Sequence, residues 1–78
     1  MPQPMKEIFP GIVIDPAIKF GKPVIKGTRI PVELVLAELA NGMRLEELEE
    51  EYRLAKEQIF AALRYAKATV ANEEIVAV

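Results

Sequence analysis

The chain has 78 residues, of which 51% are apolar, a composition that suits one cored domain and is too apolar for intrinsic disorder. It contains neither Cys nor His, which excludes disulfides, thiolate and imidazole catalysis and the usual zinc sites. Ten basic against twelve acidic residues give a net charge of −2, a balance that argues against nonspecific binding of nucleic acid.

Residues 1–10 hold three of the six prolines and little periodicity, so they read as an irregular N-terminal arm. Ile12-Val13-Ile14 is a β-branched run closed by Asp15-Pro16, where the Asp15 side chain is expected to cap the turn. Phe20-Gly21-Lys22-Pro23 is a second turn, followed by Val24-Ile25 and then Lys26-Gly27. The pattern predicts a short β-hairpin. Two strands alone are barely stable, so the hairpin must pack on helices or on another copy of itself.

Pro31 suits a first helical position and pushes Ile30 toward extended backbone. Val32, Val35, Leu36, Leu39 and Ala40 then share one helical face. Asn41-Gly42 ends this helix, with Gly42 able to take the left-handed cap conformation. A second helix is predicted over 45–52, with Leu45, Leu48 and Tyr52 on one face. Its first turn carries Glu46 and Glu47 at the positive end of the helix dipole. After the break Arg53-Leu54-Ala55, a third helix is predicted over about 56–70, with Ile59, Ala62, Leu63, Ala66 and Val70 inward. Asn72 can stop it. Residues 74–78 have strand-like composition. The organisation expected is an arm (1–10), one domain (11–71) and a tail (72–78), with no repeats. No apolar run approaches the roughly 20 residues of a membrane span, and no signal-peptide pattern opens the chain. A cytoplasmic protein is expected.

Charge is segregated. Residues 1–30 carry five basic and two acidic residues, a balance of +3. Residues 44–51 set five glutamates against Arg44, and residues 52–67 set four cations against Glu57. Such segregation makes local potentials that the net charge hides.

Helix, three-residue turn, helix, with a supporting helix in front, is the skeleton of a helix-turn-helix module. The second helix of such a pair enters the major groove. Here it would bring Lys56, Gln58 and Phe60 to bases, with Arg64 and Lys67 farther along toward phosphates. Gln reads adenine, and Lys or Arg pairs with phosphate or guanine. The turn lacks the Gly that often sits there, and a solvated basic face on an ordinary bundle helix is the competing reading. The glutamates at 46, 47, 49, 50 and 51 spread around their helix without converging, as a solvated face does. With no nucleophile–base pair and no glycine-rich phosphate loop, no enzyme, metal or cofactor is expected. The stretch 20–31 is the least ordinary in the chain. Its Lys22 and Lys26 either guard a strand edge or belong, with Arg29, to a basic β-element that contacts phosphate or pairs with a second subunit. Arg29 either binds phosphate or pairs internally with the acidic second helix.

Ile14-Asp15-Pro16, then Phe20-Gly21-Lys22-Pro23-Val24-Ile25-Lys26-Gly27-Thr28-Arg29-Ile30-Pro31-Val32, then Leu39-Ala40-Asn41-Gly42 resembles the domain-of-unknown-function 433 family. The stretches 47–52 and 59–66 are similar to it too, so the resemblance covers roughly residues 10–68. It implies a homeodomain-like three-helix bundle and a link to VapB-like antitoxins, whose usual neighbour is a PIN-like nuclease toxin. The family commonly has Ser or Thr where the second and third helices begin. Here Arg44 and Ala55 stand there.

The expectation is therefore a mainly α domain, a helix-turn-helix bundle behind a short N-terminal β-hairpin. It would serve as an antitoxin, as a small DNA-binding transcriptional regulator, or as both. Its partners would be its own promoter DNA, a PIN-like toxin and a second copy of itself, with no membrane. The candidate DNA contacts are Lys22, Lys26, Arg29, Lys56, Gln58, Arg64 and Lys67. The alternative is a protein-interaction module that uses its acidic helix or a terminal tail and never touches DNA.

Overall fold

Three short strands precede the helices in the computed structural model, which describes residues 5–72. The tail composition noted at 74–78 lies outside the described residues. Among those described, the order is β1 (Lys6–Phe9), β2 (Ile12–Ile14), β3 (Val24–Ile25), α1 (Val32–Ala40), α2 (Leu45–Tyr52) and α3 (Lys56–Asn72). The strands form one antiparallel sheet in the order β1-β2-β3. The segment read as an irregular arm thus contributes an edge strand, and the expected two-stranded hairpin is a three-stranded sheet. The prolines of that segment flank β1 and leave its own four residues free to pair.

Strand β1 pairs Lys6 with Ile14, Glu7 with Val13 and Phe9 with Ile12, so that Ile8 is the extra residue of a bulge. The turn back into β2 is Pro10-Gly11, and Gly11 has φ +82°. A Cβ at Gly11 would stand 2.9 Å from the Ala61 Cβ. Only glycine supplies both that backbone angle and that clearance, and the sheet consequently lies directly on the middle of α3. Phe9, at the end of β1, meets Tyr65 of α3 edge to face with centroids 5.6 Å apart.

The specific stretch 22–31 folds as a small hairpin that launches α1. The Ile25 N–H donates to the Ile30 carbonyl, and the Val32 N–H donates to the Pro23 carbonyl, at 2.9 and 3.0 Å. Thr28 holds the tip, its hydroxyl donating to the Ile25 carbonyl and accepting from the Ile30 N–H. Asp15 caps its turn as expected, accepting from the Ala17 N–H at 2.9 Å.

Ile12 and Ile25, paired across the sheet, point to the helices and join Val35, Leu48, Leu54, Ile59 and Ala62 in the core. Tyr52 ties α2 to α1 by donating its hydroxyl to the Glu38 carboxylate at 2.9 Å. That bond, helped by partial burial, raises the Tyr52 pKa. The inward face read for α3 holds for Ile59 and Ala62, and fails at Val70, which is 64% exposed. At 1.5 Å per residue, the 17 residues of α3 outrun the nine of α1 and eight of α2. Among the described residues little is left to cover the last turn.

Candidate nucleic-acid interface

Helices α2 and α3 are joined by Arg53, Leu54 and Ala55. Arg53 takes the left-handed conformation (φ 54°, ψ 44°), the place a glycine would fill without strain. Leu54 is buried and anchors the turn to the core. Both helix starts lack a side-chain cap from the residue in front, as the presence of Arg44 and Ala55 implies. At each start the N–H of the residue in front is met from inside the helix. Glu47 Oε1 accepts from the Arg44 N–H at 2.9 Å, and Gln58 Oε1 accepts from the Ala55 N–H at 2.7 Å. Each is the returning half of a capping box. The Arg44 N–H, followed by the Arg44 guanidinium, holds the Glu47 carboxyl below the usual carboxylate range.

This geometry sorts the sequence-derived contacts. Gln58 is half-buried and its carbonyl oxygen is engaged at the helix start, so its amide N–H groups are the better placed for a base edge. Lys56, Arg64 and Lys67 are exposed along α3, spaced to share one flank of the helix. Arg64 reaches Glu57 at 3.3 Å. On the sheet side, Lys22 pairs with Glu33 at 2.7 Å and Lys26 with Glu7 at 2.9 Å. Glu7 also accepts the Gly11 N–H at 2.9 Å. The Gly11 bond first, and Lys26 second, lower its pKa. All these ion pairs are exposed, and exposed pairs contribute little to stability.

Among the described residues, Arg29, Lys56 and Lys67 belong to no ion pair. Of the two alternatives for Arg29, no pairing with the acidic helix α2 occurs there. The same holds for Arg53 at the turn, a cation the sequence-derived set left out although it stands in the basic stretch 52–67. On α2, Glu46, Glu49, Glu50 and Glu51 are likewise without an ion pair among the described residues. The domain is therefore electrostatically two-sided, with an acidic α2 beside a basic turn and third helix. No group of three or more acidic residues converges as a metal site among the described residues. No helix there is long and apolar enough to cross a membrane.

Three helices carrying a small antiparallel sheet on the longest of them define a small, mainly helical domain with a sheet-launched first helix. The sequence profile of the family described as "Protein of unknown function (DUF433)" matches residues 12–66, and the chain belongs to that family. The matched span runs from β2 through the first two-thirds of α3. Among solved structures the chain is similar to Rv2018 from Mycobacterium tuberculosis, at 31% identity and a TM-score of 0.60. The likeness covers 67% of this chain and 24% of that one, so the chain spans about a quarter of the length of that protein. A search of curated proteins finds no match.

Proposed function

We propose that this domain is a helix-turn-helix DNA-binding module of homeodomain-like type, with α3 as the recognition helix, serving as the antitoxin of a toxin–antitoxin pair. The observation that carries the DNA half is the flank of α3. Lys56, Arg64 and Lys67 stand exposed on one helix whose start is locked by Gln58 and whose preceding turn is fixed by Leu54. A rigid helix presenting cations is what phosphate positioning requires, and the free Gln58 amide and Lys56 are nearest to base edges. Arg29, on the loop held by Thr28, adds a phosphate contact from the sheet side. Two copies would present two recognition helices to paired half-sites. The antitoxin half rests on the link to VapB-like antitoxins that the resemblance implies, and its partner would be a PIN-like nuclease toxin.

The test is a titration against the protein's own promoter and a scrambled duplex at several salt concentrations. Promoter affinity should fall as salt rises, and each lost phosphate contact should lower the log–log slope by about 1. Lys56→Ala and Arg64→Ala should weaken binding. A wild-type protein that binds neither duplex at low salt removes the DNA half of the reading.

A second reading rests on the glutamates of α2 that have no ion pair among the described residues. They form an acidic face suited to a basic protein partner. Co-expression with the neighbouring gene discriminates, since a stable stoichiometric complex that ignores promoter DNA favours this reading.

A further inference from the structure

Two apolar features face each other's needs on this surface. The first is Phe20, 99% exposed, at the apex of a turn in which Lys19 and Phe20 both adopt positive φ (50° and 58°). Consecutive left-handed residues other than glycine are unfavourable, most of all for a bulky side chain. The turn is nevertheless closed by the Gly21 N–H to the Ile18 carbonyl and the Lys22 N–H to the Lys19 carbonyl, both 3.1 Å. The backbone thus holds an aromatic ring out into water. Strain of this kind concentrates at functional sites.

The second is a groove of about 380 Å³ between α1 and the last turns of α3, lined by Pro23, Leu36, Ala66 and Val70 among others. Leu36 is 36% exposed and Val70 64%. The Lys22–Glu33 ion pair stands at its edge.

We propose that a second copy of this chain occupies the groove, the Phe20 ring of each copy seated between Leu36 and Val70 of the other. Phe20 lies two residues before Lys22, which already lines the groove. Knob and hole are therefore neighbours in the chain. A patch that carries both can close on itself about a two-fold axis, whereas distant ones would chain copies head to tail. An aromatic side chain buries roughly 150–250 Å². Two such rings, exchanged between grooves walled by leucine and valine, make the apolar centre of an interface that needs about 800 Å² from each partner. The charges agree. Lys19, which has no ion pair among the described residues, would arrive with Phe20 at the edge where the other copy holds Glu33, and would share that carboxylate with its Lys22 partner at 2.7 Å. The groove uses Tyr65, Ala66 and Thr69 of α3, a different side from that of Arg64, while its Lys22 and Val70 border the sheet-side cations and Lys67.

Sedimentation equilibrium of the full chain over a wide concentration range tests this, with Phe20→Ser and Val70→Glu as variants. Both positions are exposed, and circular dichroism verifies that both variants fold. The wild type should dimerise reversibly, and each variant should raise the dissociation constant at least roughly tenfold. An equimolar mixture of the two variants should associate more tightly than either alone. In the mixture, Phe20 of the V70E chain enters the intact groove of the F20S chain. A wild type that stays monomeric throughout, including one whose groove takes a different protein, overturns the proposal. So does a dimer insensitive to both variants, or a mixture no tighter than its components.

Discussion

Gln58 holds the start of α3, and the proposed DNA-binding mode gives it a second role that its chemistry separates from the first. Its carbonyl oxygen accepts the Ala55 N–H at 2.7 Å, and its amide would meet DNA. Gln58→Ala should lose about 1 kcal/mol of stability, the usual worth of a helix cap, and weaken promoter binding as well. Gln58→Glu keeps an acceptor for the Ala55 N–H and suits the helix dipole. It should therefore match the wild type in urea denaturation while binding DNA more weakly, because it places an anion facing phosphate. Equal duplex affinity for wild type and Q58E would show that the start of α3 does not approach DNA. Arg53 offers a second case, an arginine held at φ 54°. Glycine bears that conformation without the left-handed penalty of roughly 1–2 kcal/mol, so Arg53→Gly should stabilise the fold by up to about 1 kcal/mol once glycine's greater unfolded entropy is subtracted. If the turn cation contacts phosphate, the same variant should reduce the salt slope of binding, and the two measurements together separate structure from function at this position.

The seating of the sheet on α3 depends on one point of closest approach. Gly11→Ala must accept both a positive φ and a Cβ 2.9 Å from Ala61, and about 2–4 kcal/mol of destabilisation is expected from strain and overpacking together. Gly27 provides the control, with nearly the same φ and nothing within 4 Å of an added Cβ. Gly27→Ala should show the conformational part alone, and a G11A no costlier than G27A in chemical denaturation would mean that the sheet can shift off the helix. Three groups spread over the elements make the fold respond to pH. Glu7 and Glu47 both have lowered pKa values in the fold, through backbone N–H bonds first and cations second. Their contributions are complete above the ordinary carboxylate pKa of about 4.3 and are lost as pH falls through the lower folded values. Tyr52, whose pKa is raised, contributes fully below its ordinary value near 10 and less as pH rises through the folded one. Stability should thus sag at both extremes. Glu47→Gln, which retains an acceptor for the Arg44 N–H, should flatten the acid limb of a thermal-midpoint profile, and an acid limb as steep as that of the wild type would show that Glu47 does not contribute to it. The helices themselves were plain in the sequence, because apolar spacing and the prolyl and glycyl stops act within a few residues. Strand β1 was not, since what makes it a strand is pairing with β2 and the contact of Phe9 with Tyr65, 56 positions away. The ion pairs of Lys22 and Lys26 were hidden for the same reason, their partners lying 11 and 19 residues distant.

At the scale of the whole molecule, net charge is a poor guide to what this surface attracts. The −2 of the chain divides into an acidic α2 and a basic turn and third helix, while two of the N-terminal cations are occupied by Glu7 and Glu33. At physiological ionic strength the Debye length is about 8 Å, so each face is felt mainly by what touches it. For a DNA-binding mode in which α3 enters the groove and α2 is held clear, this has a measurable consequence. Neutralising Glu46, Glu50 and Glu51 to glutamine adds three units of positive charge, yet promoter affinity at 150 mM salt should change by less than about threefold, because in that mode α2 touches no phosphate and charges that make no contact are screened. Lys56→Gln with Lys67→Gln removes only two units, yet affinity should fall by more than about tenfold and the salt slope by about 2, since phosphate contacts themselves are lost. The opposite ranking, with the α2 triple variant producing the larger change, would place α2 against the phosphates and reverse the orientation of the domain on DNA. A large effect of the α2 variant on capture of a protein partner, with duplex affinity untouched, would instead assign that face to the partner and leave α3 to the nucleic acid.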